Sequence, residues 1–341
     1  MPKDDTVLIT GANGEIGHGL IHHLCSGGAS RIIATDIQSL DPSLQADCQT
    51  FLQGDITDPE LIKRLGREYA FTTIYHLASI LSTKGERDPE LAHRINVDGT
   101  LHLLRMATEQ SRAAGRSVKF IYPSSIAAYG LPDLETKARE GRVVREDEWC
   151  FPATMYGVNK LTCEHLGRYY ALHYRQLESE AAAPRIDFRA LRFPGLISAL
   201  TVPTGGTSDY GPEMLHHAAQ GKAYACFVRP DSQLPFMVMP DAIKALLLLE
   251  AARRENLRQL VYNVTSYSPT AAEILDMIVR AFPSAKITFA PDVRRQGIVD
   301  SWPADVDDSA ARRDWGWEPE YDLRRSFVEY LIPSVRERYA A

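Results

Sequence analysis

The sequence predicts an α/β chain built on a doubly wound parallel sheet, with a smaller C-terminal lobe. Two observations carry that expectation. Short runs of β-branched residues alternate with stretches of helical periodicity, and the first such run stops at a glycine-rich turn that opens a helix. With 341 residues, 45% hydrophobic and 24% charged, the chain has enough material for one large domain and a lobe.

Residues 6–10 form the first predicted strand, and Gly11-Ala12-Asn13-Gly14-Glu15-Ile16-Gly17 follows it. Leu20, Ile21 and Leu24 then continue at helical spacing. Glycines here let the backbone turn tightly and approach a pyrophosphate, while the helix N-terminus offers free N–H groups and positive potential. Residues 31–35 form a second strand that ends on Asp36, about twenty residues past the last glycine, where an acid can bond the two ribose hydroxyls of an adenosine. The same carboxylate would repel a 2′-phosphate, so NAD is expected rather than NADP.

The third strand, around 50–52, leads to Gly54-Asp55-Ile56-Thr57-Asp58-Pro59, with Thr57 or Asp58 capping a helix opened by Pro59. Residues 73–79 form a fourth strand with small residues at its carboxyl end, where ligands collect in an open parallel sheet. Residues 88–114 read as helix with a wide apolar arc. Residues 118–122 form a fifth strand, running into Pro123-Ser124-Ser125, and two serines at that strand end face the expected cofactor crevice. The charged stretch 135–147 reads as a surface excursion without chemistry, 178–184 as a loop, and 186–191 as the sixth strand.

From Pro194 the elements shorten, and a turn at Thr204-Gly205-Gly206-Thr207 marks the lobe. The expected division is a Rossmann-type, NAD-binding domain over 1–193 and a substrate-binding lobe over 194–341, with 259–264 rejoining the main sheet. Trp315 and Trp317 read as packing residues, whereas Trp302 reads as a loop residue that reaches a ligand.

A net charge of −6 argues against nucleic acid as a partner. No run of eighteen apolar residues and no signal-peptide pattern occur, so no membrane association and a cytoplasmic location are expected. The five cysteines are scattered, as reduced thiols are. The His22-His23 and His216-His217 doublets diverge on a helix, so no metal is expected.

Tyr156 and Lys160 lie four apart in a helical stretch and so share a face. An ammonium beside a phenol favours the phenolate and lowers its pKa from about 10. Such a phenol can accept a proton from an alcohol.

Taken together, the glycine triplet at Gly11, Gly14 and Gly17, Asp36, the Gly-Asp-Ile of Gly54–Ile56, the Ser-Ser loop and Tyr-x-x-x-Lys resemble the extended short-chain dehydrogenase/reductase superfamily over nearly the whole chain. Within it, four segments are similar to the NAD-dependent L-threonine 3-dehydrogenases: residues 80–86, 192–198, 203–210 and 237–242. Phe193 departs from that pattern where a Tyr is expected, as do Asn13 and Glu15 in the glycine turn.

The resemblance implies oxidation of the 3-hydroxyl of L-threonine to 2-amino-3-oxobutanoate, with hydride passing to NAD. Tyr156 would be the base, Lys160 would lower its pKa and bond the nicotinamide ribose, and Ser125 would orient the hydroxyl. Gly11, Asn13, Gly14, Glu15, Ile16, Gly17, Asp36, Ile37, Asp55, Ile56, Leu77, Ala78 and Leu196 would hold the cofactor. Ser82, Thr204, Gly205, Asp209 and Trp302 would meet the substrate, with Asp209 either pairing with its ammonium or capping the helix at Tyr210. Two other readings stay open: a nucleotide-sugar epimerase or dehydratase using the same three residues, and a non-catalytic dinucleotide sensor. Apolar arcs on 88–114 and 155–174 imply a homodimer packed through these helices.

Overall fold

A computed structural model describes residues 5–27, 31–140, 143–177, 185–199, 201–203 and 205–340. Its strands are β1 (Thr6–Thr10), β2 (Arg31–Asp36), β3 (Thr50–Gln53), β4 (Thr73–His76), β5 (Lys119–Ser125), β6 (Asp187–Phe193), β7 (Gly195–Ile197), β8 (Ala223–Cys226), β9 (Phe236–Val238), β10 (Val261–Asn263) and β11 (Lys286–Phe289). Seven of them form one sheet in the order β10-β6-β5-β4-β1-β2-β3. β1 pairs in parallel with both β2 and β4, and the order reverses direction there. That reversal is the switch point at which open α/β sheets bind ligands. The doubly wound fold is as expected, and β10 does join the main sheet.

Contacts divide the chain into two units of discontinuous segments. The first comprises residues 1–124, 158–191 and 246–261; the second comprises 125–157, 192–245 and 262–341. In the first unit every residue of β1 and β4 is buried, because strands covered on both faces hold no solvent-facing positions. Leu8, Ile33, Ile74, Leu103, Leu104, Phe120 and Phe188 belong to one apolar cluster. Asp58 caps the Pro59–Glu68 helix, its side chain accepting the Glu60 N–H. In the second unit, β7 pairs with β9 and β8 with β11, both in parallel, around a core that includes Tyr210, Met214, Phe236, Ile274 and Phe327.

Several elements differ from the sequence reading. β4 stops at His76, and the chain leaves the strand at Leu77, whose N–H still donates to Thr10 O at 3.1 Å. β5 runs on through Pro123 to Ser125, three residues beyond expectation. The 88–114 stretch is a Pro89–His93 helix, a five-residue π-turn at Arg94–Asp98 and a Gly99–Ala114 helix. A Ser82–Arg87 helix stands where no element was expected.

The charged 135–147 stretch is not a plain surface excursion. It includes the Leu134–Glu140 helix, on which Thr136 and Lys137 are buried, and Val144 is fully buried in a bridge to Val306. Lys137 Nζ donates to Val299 O at 3.0 Å, and burial pushes its ammonium down to about 8 despite the Asp300 charge. The 178–184 loop lies outside the described residues.

Candidate active site

Within the first unit, the glycine turn begins where β1 ends. Gly11 adopts φ +67°, and a Cβ there would fall 2.5 Å from Ala78 N. At Gly17 a Cβ would fall 2.4 Å from Ala12 O, so the Glu15–Ser26 helix packs directly on the turn. No side chain caps that helix. The positive potential of its N-terminus favours an anion there. Glu15 and Ile16 open it, both partly exposed.

Asp36 Oδ2 accepts the N–H of Asn13 and Oδ1 that of Gln38, each at 2.9 Å. A carboxylate has about four acceptor sites, so two hydroxyls can still be received. Asn13 Oδ1 accepts the N–H of Asp41 at 3.1 Å. Asp55 accepts the Thr57 N–H at 2.8 Å, Ile56 is buried against Gly99, and Ile37 is exposed. Leu77 and Ala78 are half-buried beside the turn, with Ala78 N–H donating to Thr10 Oγ1 at 3.3 Å. A cradle shaped by positions that admit no Cβ, an uncapped helix start and an acid at the next strand end fit a dinucleotide. Ser82 is buried at the start of its helix.

Lys160 belongs to this unit. It lies on the Met155–Leu172 helix, is 4% exposed, and donates from Nζ to Pro123 O at 2.6 Å. Burial lowers it to about 8. The ammonium also sits 4.7 Å from the centre of the Tyr122 ring.

In the second unit, Ser125 ends β5 and its Oγ accepts the Ala127 N–H at 3.1 Å. Tyr156 is hydrogen bonded to the Ser125 side chain. The next residue explains how the helix start is seated: a Cβ on Gly157 would fall 2.0 Å from Ala127 O. Tyr156 as a whole residue is half-buried. Even so, burial pushes the phenol up to about 12, with the Ser125 hydrogen bond pulling the other way. The expected lowering of this phenol is therefore corrected: loss of hydration outweighs stabilisation of the anion.

Asp209 precedes the Tyr210–Ala219 helix but does not cap it with its side chain. Instead Oδ2 accepts the N–H groups of Gly205 at 2.9 Å and Gly206 at 2.6 Å. The N–H groups of Gly205 and Gly206 are thus turned onto Asp209. Gly205 adopts φ +89°, a conformation that favours glycine. Thr204 lies outside the described residues. Trp302 is no exposed loop residue: it ends the Val293–Ser301 helix, is 4% exposed, and packs in the second unit's core. Its indole Nε1 has no partner among the described residues. Leu196, in β7, is half-buried. Trp317 is buried as expected and donates from Nε1 to Asp308 at 3.1 Å.

Three features escaped the sequence reading. Gly157 could have been found as a glycine inside a helical pattern, which usually marks a close approach. Glu164, four residues past Lys160, is 3% exposed and accepts the Ser124 hydroxyl at 2.5 Å. Arg295 donates to Gly206 O at 3.1 Å, bracing the Asp209 turn, and no local pattern announces it.

The model of the NAD dependent epimerase/dehydratase family matches residues 7–265. The chain belongs to that family. NAD is accordingly its cofactor, and the glycine turn and Asp36 have the form such a cofactor needs. Among curated proteins, the mitochondrial L-threonine 3-dehydrogenase of Bos taurus is 33% identical over 318 residues, 93% of this chain and 79% of that protein. Among solved structures, L-threonine 3-dehydrogenase from Trypanosoma brucei matches with a TM-score of 0.86 at 32% identity, covering 100% of this chain and 98% of its own. A monomeric L-threonine 3-dehydrogenase from a metagenome matches with a TM-score of 0.84 at 34% identity, over 97% and 99%. The chain is an enzyme of this NAD-dependent family. Among the described residues no helix is long and apolar enough to cross a membrane.

Proposed function

We propose that the protein oxidises the 3-hydroxyl of L-threonine to 2-amino-3-oxobutanoate with NAD. The likeness to threonine 3-dehydrogenases in sequence and structure, spanning nearly the whole chain, carries this reading. Tyr156 is the base that takes the hydroxyl proton, and its hydrogen bond with Ser125 supports that role. Ser125 orients the hydroxyl and then donates to the carbonyl oxygen as it forms. Lys160, one helical turn beyond Tyr156, supplies positive charge and bonds the nicotinamide ribose. When bound, NAD supplies the hydride acceptor.

A phenol raised to about 12 is a weak base at neutral pH, so cofactor and substrate must change its surroundings before it acts. The positive charge of an oxidised nicotinamide works in that direction. Gly11, Asn13, Gly14, Glu15, Ile16, Gly17, Asp36, Ile37, Asp55, Ile56, Leu77, Ala78 and Leu196 are assigned to the cofactor. Ser82, Thr204, Gly205, Asp209 and Trp302 are assigned to the substrate. Asp209 pairs with the ammonium, and the buried Trp302 indole N–H, without a partner among the described residues, is a donor awaiting an acceptor. Residues 1–193 serve as the NAD-binding domain and 194–341 as the substrate lobe.

The protein acts in the cytoplasm as a homodimer. On the Met155–Leu172 helix, Val158 and Tyr169 are 40% and 42% exposed, three turns apart on one side, which supports packing against a second copy. Monomer mass in light scattering at micromolar concentration would remove the dimer. The reaction is tested by incubating the enzyme with L-threonine and NAD alone: NADH formation supports it. Turnover of a UDP-sugar without NADH formation from threonine would assign the fold to an epimerase instead.

A further inference from the structure

Lys160 and Glu164 lie one turn apart on the same helix, both almost fully buried, and they hold consecutive residues of one strand. Lys160 donates to Pro123 O at 2.6 Å, and Glu164 accepts the hydroxyl of Ser124 at 2.5 Å. The residue after Ser124 is Ser125. A buried ammonium left without a counter-charge is costly, and a helix offers an i,i+4 position for one. Among the described residues, the groups around Lys160 include members of three elements. β5 contributes the Tyr122 ring and the Pro123 carbonyl; β4 contributes His76, which burial, assisted by the Lys160 charge, lowers to about 3; its own helix contributes Cys163 and Glu164.

His76 cannot serve as the counter-charge. Its ring is neutral and spends its nitrogens on Thr10 and Thr100 Oγ1, each at 2.8 Å. Cys163 is a thiol whose ionisation burial disfavours, and it donates to Asn96 O at 3.3 Å. Glu164 remains as the carboxylate among these groups.

We propose that Glu164 is a positioning residue for the reaction: held in place by Ser124, it supplies the buried counter-charge that keeps Lys160 an ammonium at the site. Burial dominates the lowering of Lys160, and Cys163 and then Glu164, both on its own helix, work against it; of these two, Glu164 is the carboxyl group. The inference rests on the role given to Lys160 above, so its test has an arm that needs neither NAD nor threonine.

That arm is NMR titration of the Lys160 side chain in uniformly labelled protein, the signal being assigned by its loss in Lys160→Arg. In Glu164→Gln the midpoint should fall by about one pH unit or more. Glu164→Asp, which keeps the charge, should stay near wild type. An unmoved midpoint in the Gln variant, or equal shifts in Gln and Asp, overturns the proposal. Should the Gln protein not fold, Ser124→Ala replaces it: the anchor is lost, and a midpoint below that of the Asp variant supports the idea while one at or above it overturns it. In kinetics, the alkaline limb of kcat should move to lower pH in Glu164→Gln, where a merely structural defect would lower kcat equally at every pH. Wild-type protein inactive on threonine would strike the proposed reaction and leave the titration result standing.

Discussion

Asp36, at the carboxyl end of β2, accepts the backbone N–H of Asn13 from the glycine turn at 2.9 Å. One carboxylate thus fixes the turn expected to cradle pyrophosphate and offers its remaining lone pairs to a ribose. Asp36→Ala should raise KM for NAD by about tenfold or more, the worth of one or two hydrogen bonds to a charged group. It should also improve NADP relative to NAD, because repulsion of the 2′-phosphate is gone. Steady-state kinetics with both cofactors checks this. Unchanged preference would remove Asp36 from the ribose.

Gly157 sets the height of the helix that carries Tyr156. A methyl group there would lie 2.0 Å from Ala127 O, so the helix start or the Ser125–Ala128 turn must move. Gly157→Ala should cost roughly 2–3 kcal/mol of stability and, by parting Tyr156 from Ser125, reduce turnover more than it weakens NAD binding. Thermal unfolding and kcat measured together decide it, and a wild-type kcat would contradict the assignment.

Asp209 is tested by an isostere. Asp209→Asn can still accept the Gly205 and Gly206 N–H groups through its amide oxygen, so the turn should survive. If the carboxylate pairs with the substrate ammonium, kcat/KM for threonine should drop about a hundredfold, equivalent to about 2–3 kcal/mol. NAD binding should be unaffected. An Asn variant with wild-type kcat/KM would take Asp209 out of the substrate site.

Lys137 makes stability depend on pH in a definite direction. Burial lowers its pKa from 10.5 to about 8, so between those values the unfolded chain binds more protons and stability rises with pH. Relative to Lys137→Met, wild type should gain on the order of 3 kcal/mol on going from pH 7 to pH 10.5. Urea unfolding of both proteins at the two pH values measures the difference. A gap that stays constant would show that the lysine is solvated.

The strands and the glycine turn were legible because period and turn chemistry are local: β1, β2 and the Asp58 cap stand where the residues placed them. The Lys137 burial was not legible, since a charge run reads as solvated unless the distant Val299 carbonyl is known. Nor was the state of Tyr156. Spacing placed an ammonium one turn away, but only three-dimensional enclosure reveals that loss of water dominates its proton affinity. Trp302 reads from its local sequence as a loop residue, whereas tertiary packing draws it into the core.

Oxidation of threonine with net reduction of NAD is the proposed reaction of this chain. The most direct measurement follows NADH absorbance with purified protein, NAD and L-threonine as the only reactants, beside D-threonine, allo-threonine, L-serine and UDP-galactose. Steady NADH formation is expected with L-threonine, and its loss in Tyr156→Phe. No NADH from L-threonine, with UDP-galactose converted to its epimer, would contradict it.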